Sequence, residues 1–328
     1  MRSMEFRRIG VLGAGNIGIG VVTDLVLYGI TAVVVDLSEE ILERAQAGVL
    51  ENVRVAPLFS KTLPRITKDE ALQRMILTTE LKDVASCDFI IENVTENWDV
   101  KRPVYEELDR VVPEELCFGA NTSCISITQI ASATRRPANV VGIHFMNPVH
   151  LKPTVEVIRG FHTSDRAMDT LLQLFSRLHK EAITVGDLPG FVSNRISHLF
   201  MNEAAFVLQD NVATAEQIDL IFKKCFSHKM GPLETADLIG LDTVMRSLDV
   251  LYESYHDPKY RCCPLLRKLV HAGHLGRKTG QGFHMYPLAH STGSGQAKEM
   301  KREIKPTNPP VALPRANTSG PVLDEARK

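Results

Sequence analysis

Short apolar runs alternate with amphipathic stretches through the first half of the chain. They fall at residues 9–12, 31–35, within MILTTEL, and at 89–93, 117–120 and 140–145. Between them lie helical periods: one from about residue 16 to 27, and one capped by Ser38 with Glu39 and Glu40 in its first turn. The second is expected to reach about residue 55, because Pro57 breaks the pattern. Residues 56–77 are too long for a simple crossover and read as a helix-turn-helix-like insertion carrying Lys61, Arg65 and Lys68. After 140–145, Asn147-Pro148 and Lys152-Pro153 disfavour helix, so 154–158 returns as a second strand. An amphipathic helix follows at 164–179, with Leu171, Leu172, Phe175 and Leu178 on one face, and EAITVGD supplies a last strand.

The period then changes. From Pro189-Gly190 a long helix places Ile196, Leu199, Phe200, Phe206 and Val207 at helical spacing, and further helices are expected at 215–224, 234–255 and 264–272. The fold class is therefore α/β, a doubly wound, mostly parallel sheet, followed by an all-α C-terminal domain. The expected divisions are 1–187, 188–287 and a Gly-, Ser-, Pro- and charge-rich flexible tail at 288–328.

Composition excludes several classes. With 328 residues, 44% hydrophobic and 23% charged, the chain can bury two cores. A net charge of -1 gives no reason to expect nucleic acid or an anionic membrane as partner. No apolar run approaches the roughly twenty residues of a membrane span, and MRSMEFRRIG runs straight into a strand, so the cytoplasm is the expected compartment. Cys87, Cys117, Cys124, Cys225, Cys262 and Cys263 form no CxxC or Cys/His ligand spacing; they read as reduced and structural, with no metal site.

The candidate chemistry starts at GAGNIG. Gly13 permits the tight turn, Gly15 lets backbone approach a pyrophosphate and Gly18 allows close strand–helix packing, with Asn16 and Ile17 opening the helix whose N–H groups face the phosphates. Asp36, at the end of the second strand, is placed to hold a ribose 2'-hydroxyl, and Leu37 after it offers a 2'-phosphate no counter-charge, so NAD is favoured over NADP. Loops after parallel strands line the ligand crevice, which directs attention to Glu96, Lys101 and Ser123. Either charge could instead be a surface group, and Ser123 a helix cap. The stretch VGIHFMNPVHLKPTVEVI brings His144 out at the end of one strand and Glu156 back beside it on the next. A lone histidine near an apolar strand is more often structural than catalytic, but an imidazole oriented by a carboxylate is a general base. Asn194, in the first turn of its helix, would face the cleft between domains, unless it is only a cap or surface amide.

Together GAGNIG, Asp36, IENVTENWDVK, NTSCISI, GIHFMNPV, VEVI, GFVSNRI, MGPLETADLIGLD and GRKTGQGFH resemble, in order over residues 9–284, the signatures of the L-3-hydroxyacyl-CoA dehydrogenase family. The resemblance implies a Rossmann-type domain binding NAD and a helical C-terminal domain that forms a homodimer. It implies His144 as base, Glu156 as its orienting acid, and Ser123 and Asn194 as groups holding substrate oxygen and base. Glu96, Lys101, Ser123 and Asn147 fall where that family contacts the cofactor, and Lys61 where it receives the CoA arm. The turn carrying His150 and Lys152 departs from the family's usual apolar or proline-rich turn, so a polar or anionic acyl group is expected there. The motif wording looks closest to the branch that oxidises short hydroxyacyl groups on an acyl carrier protein in polyketide extender-unit (methoxymalonyl) synthesis. That would make the basic insertion a dock for the carrier. A dehydrogenase of a free hydroxy acid and a non-catalytic NAD-binding protein are the alternatives; intact His144 and Glu156 argue against the second.

Overall fold

A computed structural model describes residues 4–287; the tail expected at 288–328 lies outside the described residues. Eight strands build one sheet: β1 (Arg8–Leu12), β2 (Thr31–Val35), β3 (Met75–Thr78), β4 (Phe89–Glu92), β5 (Phe118–Asn121), β6 (Val140–His144), β7 (Thr154–Arg159) and β8 (Glu181–Gly186). Their order is β3-β2-β1-β4-β5-β6-β7-β8. Every neighbouring pair is parallel except β6 and β7, which the proline-containing turn joins antiparallel. The first six strands follow the Rossmann order, with the reversal between β1 and β4 opening a crevice at their carboxyl ends.

The inner strands are continuous apolar runs because helices cover both faces. On one face, α1 (Asn16–Leu27), α2 (Glu39–Phe59) and α6 (Asp165–Arg177) bury Val21, Leu25, Leu42, Val49, Leu171 and Phe175. On the other, α4 (Trp98–Val111) and α5 (Ile127–Ala131) bury Tyr105, Leu108, Ile127 and Ile130. Full burial of each such side chain is worth about 1.5–3 kcal/mol. A short helix, α3 (Lys68–Gln73), stands on a Thr67–Glu70 capping box before β3.

Ser38 caps α2 as expected, accepting from Ile41 N–H, but the helix runs past Pro57 to Phe59. The proline lies in the last turn, where it deletes one backbone bond, and Ser60 N–H still reaches the Ala56 carbonyl. The C-terminal part consists of α7 (Ser193–Gln209), α8 (Ala215–Cys225), α9 (Pro232–Ile239), α10 (Leu241–Tyr255) and α11 (Pro264–His271). The single helix expected over 234–255 is two, because Gly240 adopts φ +103 between α9 and α10. Of the apolar set assigned to α7, Phe206 and Val207 pack against the helical core, but the fully buried positions are others. His198, Met201, Asn202, Ala204 and Ala205 point into the helical core, while Ile196 is 64% exposed. Phe200 stands edge-on to Phe222 with ring centres 4.7 Å apart. Among the described residues, no helix is long and apolar enough to cross a membrane.

Candidate active site

A crevice of about 960 Å³ opens over the carboxyl ends of β1, β2, β4 and β5, lined by Gly13, Gly15, Asn16, Ile17, Asp36 and Glu96 among others. Gly13 has φ +86, and a side chain there would collide with the Asn93 backbone. A side chain at Gly15 would meet nothing within 4 Å, so the missing Cβ leaves open space against the N-terminus of α1. No side chain caps α1, which leaves its first N–H groups free for an anion. Asp36 Oδ2 accepts from Ala14 N–H at 2.6 Å, so the carboxylate at the end of β2 also fixes the glycine turn. A dinucleotide fits this cradle: pyrophosphate on α1, ribose at Asp36.

The crevice floor is tied from below. Lys101, expected at the cofactor, is fully buried and does not line the crevice. α4 turns it inward, where its ammonium donates to both Glu92 oxygens at 2.7 and 2.9 Å and to the carbonyls of Val94 and Asn121. Glu96 does line the crevice; its Oε1 accepts from Thr122 Oγ1, Ser123 N–H and Cys124 N–H at 2.6, 2.9 and 2.9 Å, shaping the loop that presents Ser123. Ser126, not Ser123, caps α5.

His144 and Glu156 sit directly opposite each other in the antiparallel pair, with Nδ1 and Oε2 2.7 Å apart and both side chains buried. A carboxylate only accepts, so Nδ1 carries the proton and Nε2 keeps its lone pair. Ser123 Oγ lies 3.3 Å from Nε2, and Asn194 Nδ2 reaches the Ser123 carbonyl at 3.4 Å. Burial alone would raise the Glu156 carboxyl, but hydrogen bonds from the His144 ring and from the Ser193 hydroxyl and N–H outweigh it and hold the group down at about 2. The N-terminus of α7 thus grips Glu156: Ser193 Oγ donates to Oε2 at 2.6 Å, and the N–H groups of Ser193 and Val192 donate to Oε1 at 3.0 and 3.3 Å.

The turn between the two residues, expected at the acyl group, contributes no residue to the crevice lining. His150 is buried, and burial beside the Lys180 cation lowers its basicity. The turn folds onto α1, where a side chain at Gly20 would strike Val149. Lys180 Nζ donates to the carbonyls of Val149 and Lys152, each at 2.8 Å, and lies 2.8 Å from Asp24 of α1. Lys152 and Asn147 are exposed and lie outside the crevice lining, and Lys61 is exposed on the loop after α2. Sequence reasoning passed over Ser193, Lys180 and Asp24, and also over Asp187, which accepts from Ser126 Oγ and from the N–H groups of Ile127 and Thr128 at 2.8–2.9 Å. It missed Arg44, on the crevice wall one turn beyond Glu40. Only Ser193 carried a signal, through its place next to Asn194 in GFVSNRI.

A nucleotide crevice opening onto an imidazole whose free nitrogen faces a hydroxyl donor defines an NAD-dependent dehydrogenase of alcohols. The sequence model of the 3-hydroxyacyl-CoA dehydrogenase NAD-binding domain matches residues 8–188, and that of the family's C-terminal domain matches 190–286. The chain belongs to the 3-hydroxyacyl-CoA dehydrogenase family. It is 42% identical over 279 residues, 85% of this chain and 100% of the relative, to a probable 3-hydroxybutyryl-CoA dehydrogenase of Deinococcus radiodurans. It is 41% identical over 280 residues to the 3-hydroxybutyryl-CoA dehydrogenase of Bradyrhizobium diazoefficiens, covering 85% and 95% of the two chains. The crystal structure of (S)-3-hydroxybutyryl-CoA dehydrogenase from Ralstonia eutropha superposes with a TM-score of 0.81 at 40% identity, covering 86% of this chain and 100% of that one. The chain is accordingly an NAD-dependent oxidoreductase acting on 3-hydroxyacyl thioesters.

Proposed function

We propose that the chain oxidises a short 3-hydroxyacyl-CoA, of the size of 3-hydroxybutyryl-CoA, with His144 Nε2 as the general base. The observation that carries this is the His144–Glu156 contact of 2.7 Å, which leaves Nε2 free 3.3 Å from Ser123 Oγ. The Ser123 hydroxyl orients the substrate's oxygen, and Nε2 takes the hydroxyl proton as the carbonyl forms. Glu156 holds the Nδ1–H tautomer and stabilises the imidazolium, while Asn194 fixes the Ser123 loop. NAD, when bound, supplies the hydride acceptor. Substituting His144→Gln is expected to lower kcat about a hundredfold or more and leave NAD binding nearly intact; unchanged turnover sinks the assignment.

A thioester on an acyl carrier protein is the second reading of the substrate. Exposed Lys61 beside exposed Leu58 and Phe59 supports it, as a basic and apolar patch at the end of α2. NADH formation with CoA-bound, carrier-bound and free 3-hydroxy acids separates the three; turnover confined to the carrier thioester would displace CoA, and turnover confined to the free acid would displace both. The active form is a homodimer joined through the helical domain, a reading supported by the exposed apolar side chains of Ile196, Leu220, Ile221, Phe226 and Leu238. Light scattering should show a dimer that Phe226→Asp converts to monomer. The division between the two domains lies near Asp187, between the last strand and α7, and the working compartment is the cytoplasm.

A further inference from the structure

We propose that Ser193 is a positioning residue for the proton-transfer pair: its hydroxyl holds Glu156 Oε2 and so sets how strongly that carboxylate supports His144. The inference rests on the reading of His144 as the base. Two donors converge on one oxygen, since Oε2 accepts from His144 Nδ1 at 2.7 Å and from Ser193 Oγ at 2.6 Å, with the hydroxyl itself 3.2 Å from Nδ1. An oxygen shared in this way gives less of its negative charge to either partner. The Ser193 hydroxyl has no helix-capping duty, because Val192 occupies the cap position and no side chain satisfies the first turn of α7. Its one strong contact is to the carboxylate that orients the base.

The other groups around the pair leave this role to Ser193. From α7 itself, His198 sits one turn beyond Asn194, with Nδ1 2.9 Å from the Asn194 carbonyl, and burial lowers its basicity. From the β5 side, Glu96 bonds Ser123 N–H, and Lys101 lies 4.0 Å from Glu96. Neither makes a hydrogen bond to Glu156. Ser193 belongs to the helical domain, whereas His144 and Glu156 belong to the sheet. A shift of α7 along its axis would therefore alter the support given to the base while moving neither member of the pair.

Removing the hydroxyl leaves Oε2 to His144 Nδ1–H alone, strengthening the bond that stabilises the imidazolium. The test is the pH profile of kcat/KM for the full chain with NAD and 3-hydroxybutyryl-CoA, in wild type, Ser193→Ala, Ser193→Thr and His144→Gln. Ser193→Ala should displace the acid limb to higher pH by about half a unit and lower kcat roughly three- to tenfold, the scale of one hydrogen bond, with KM for both substrates unchanged. Ser193→Thr, which keeps the hydroxyl, should restore the wild-type limb. A Ser193→Ala limb that stays in place or moves to lower pH overturns the proposal, and so does a Ser193→Thr limb displaced as far as that of Ser193→Ala. His144→Gln separates the two levels: if it turns over like wild type, the base assignment fails; if it is inactive while Ser193→Ala superposes on wild type, only the role of Ser193 falls.

Discussion

Lys101 and Lys180 are both buried, each faces a carboxylate, and each donates to two backbone carbonyls of a segment beside the site. Lys101 ties the loops after β4 and β5, which frame the crevice; Lys180 ties the turn between His144 and Glu156. The carboxylates differ. Glu92 is saturated, accepting from Lys101 twice, from Tyr105 OH at 2.9 Å and from Val94 N–H at 2.6 Å. Asp24 Oδ2 has its ammonium at 2.8 Å, but off the direction a hydrogen bond requires, and no other donor reaches it. Desolvation outweighs the Lys180 cation and pushes Asp24 up to about 6, and burial raises Glu92 as well, against the Lys101 cation and its other donors. A buried carboxylate with a full set of donors is a rigid strut, and one with a single partner is a joint that gives up its charge readily.

The largest effect should come from Lys101→Met, which strands a buried carboxylate among its remaining donors. A loss of about 3–5 kcal/mol in urea unfolding is expected, with weakened NAD binding as the crevice loops loosen. Lys180→Met should cost less, about 2–3 kcal/mol, since Asp24 can take up a proton in place of its lost partner. Equal losses in the two variants would erase the distinction between strut and joint. Tyr105→Phe removes one donor from Glu92 and should cost about 1.5 kcal/mol, the lower end for hydrogen bonds to a charged group.

The smallest change, Asp24→Asn, should show in slope rather than size. Asp24 has a folded-state value raised from 3.8 to about 6, so the folded chain holds its proton more tightly than the unfolded chain. Its stabilisation is full below about pH 4 and is lost as pH rises through about 6, and Asp24→Asn should remove that decline from the pH dependence of the urea midpoint. Glu156 has the opposite sign: held down at about 2 from 4.5, it contributes above about pH 4.5 and loses that contribution as pH falls through about 2. A wild-type midpoint that does not fall relative to Asp24→Asn between pH 4 and 6 would contradict the joint.

These pairs also mark what the sequence could disclose. The glycine turn, Asp36 and the facing of His144 by Glu156 were legible because each follows from local period and turn chemistry. Helix α1 and strand β2 have the bounds their apolar runs predict. Lys101 was read as a crevice residue since it follows a polar loop, but its position on the inward face of α4 depends on packing against β4 and β5. His150 and Lys152 were read as substrate contacts because their turn departs from the family's usual apolar one, whereas His150 is buried and the turn lies on α1 through the gap at Gly20. On α7 the period gave a helix but not which of two apolar faces meets the helical core. Ser193, Lys180 and Asp24 act across elements far apart in the chain, and no local pattern announces such partners.

The pairing of His144 with Glu156 has an evolutionary consequence. Two adjacent antiparallel strands fix the dyad by their own ladder, so the connection between them is free to vary as long as the pairing does not slip by one residue. Descendants of this gene can therefore change the exposed positions between the strands, such as Asn147 and Lys152, without disturbing the pairing, while Phe145 and Val149 stay bound to the core. The same holds for an engineer grafting the segment from a relative, who would need to keep the fit of Val149 to Gly20, the packing of Phe145 and the carbonyls that Lys180 holds.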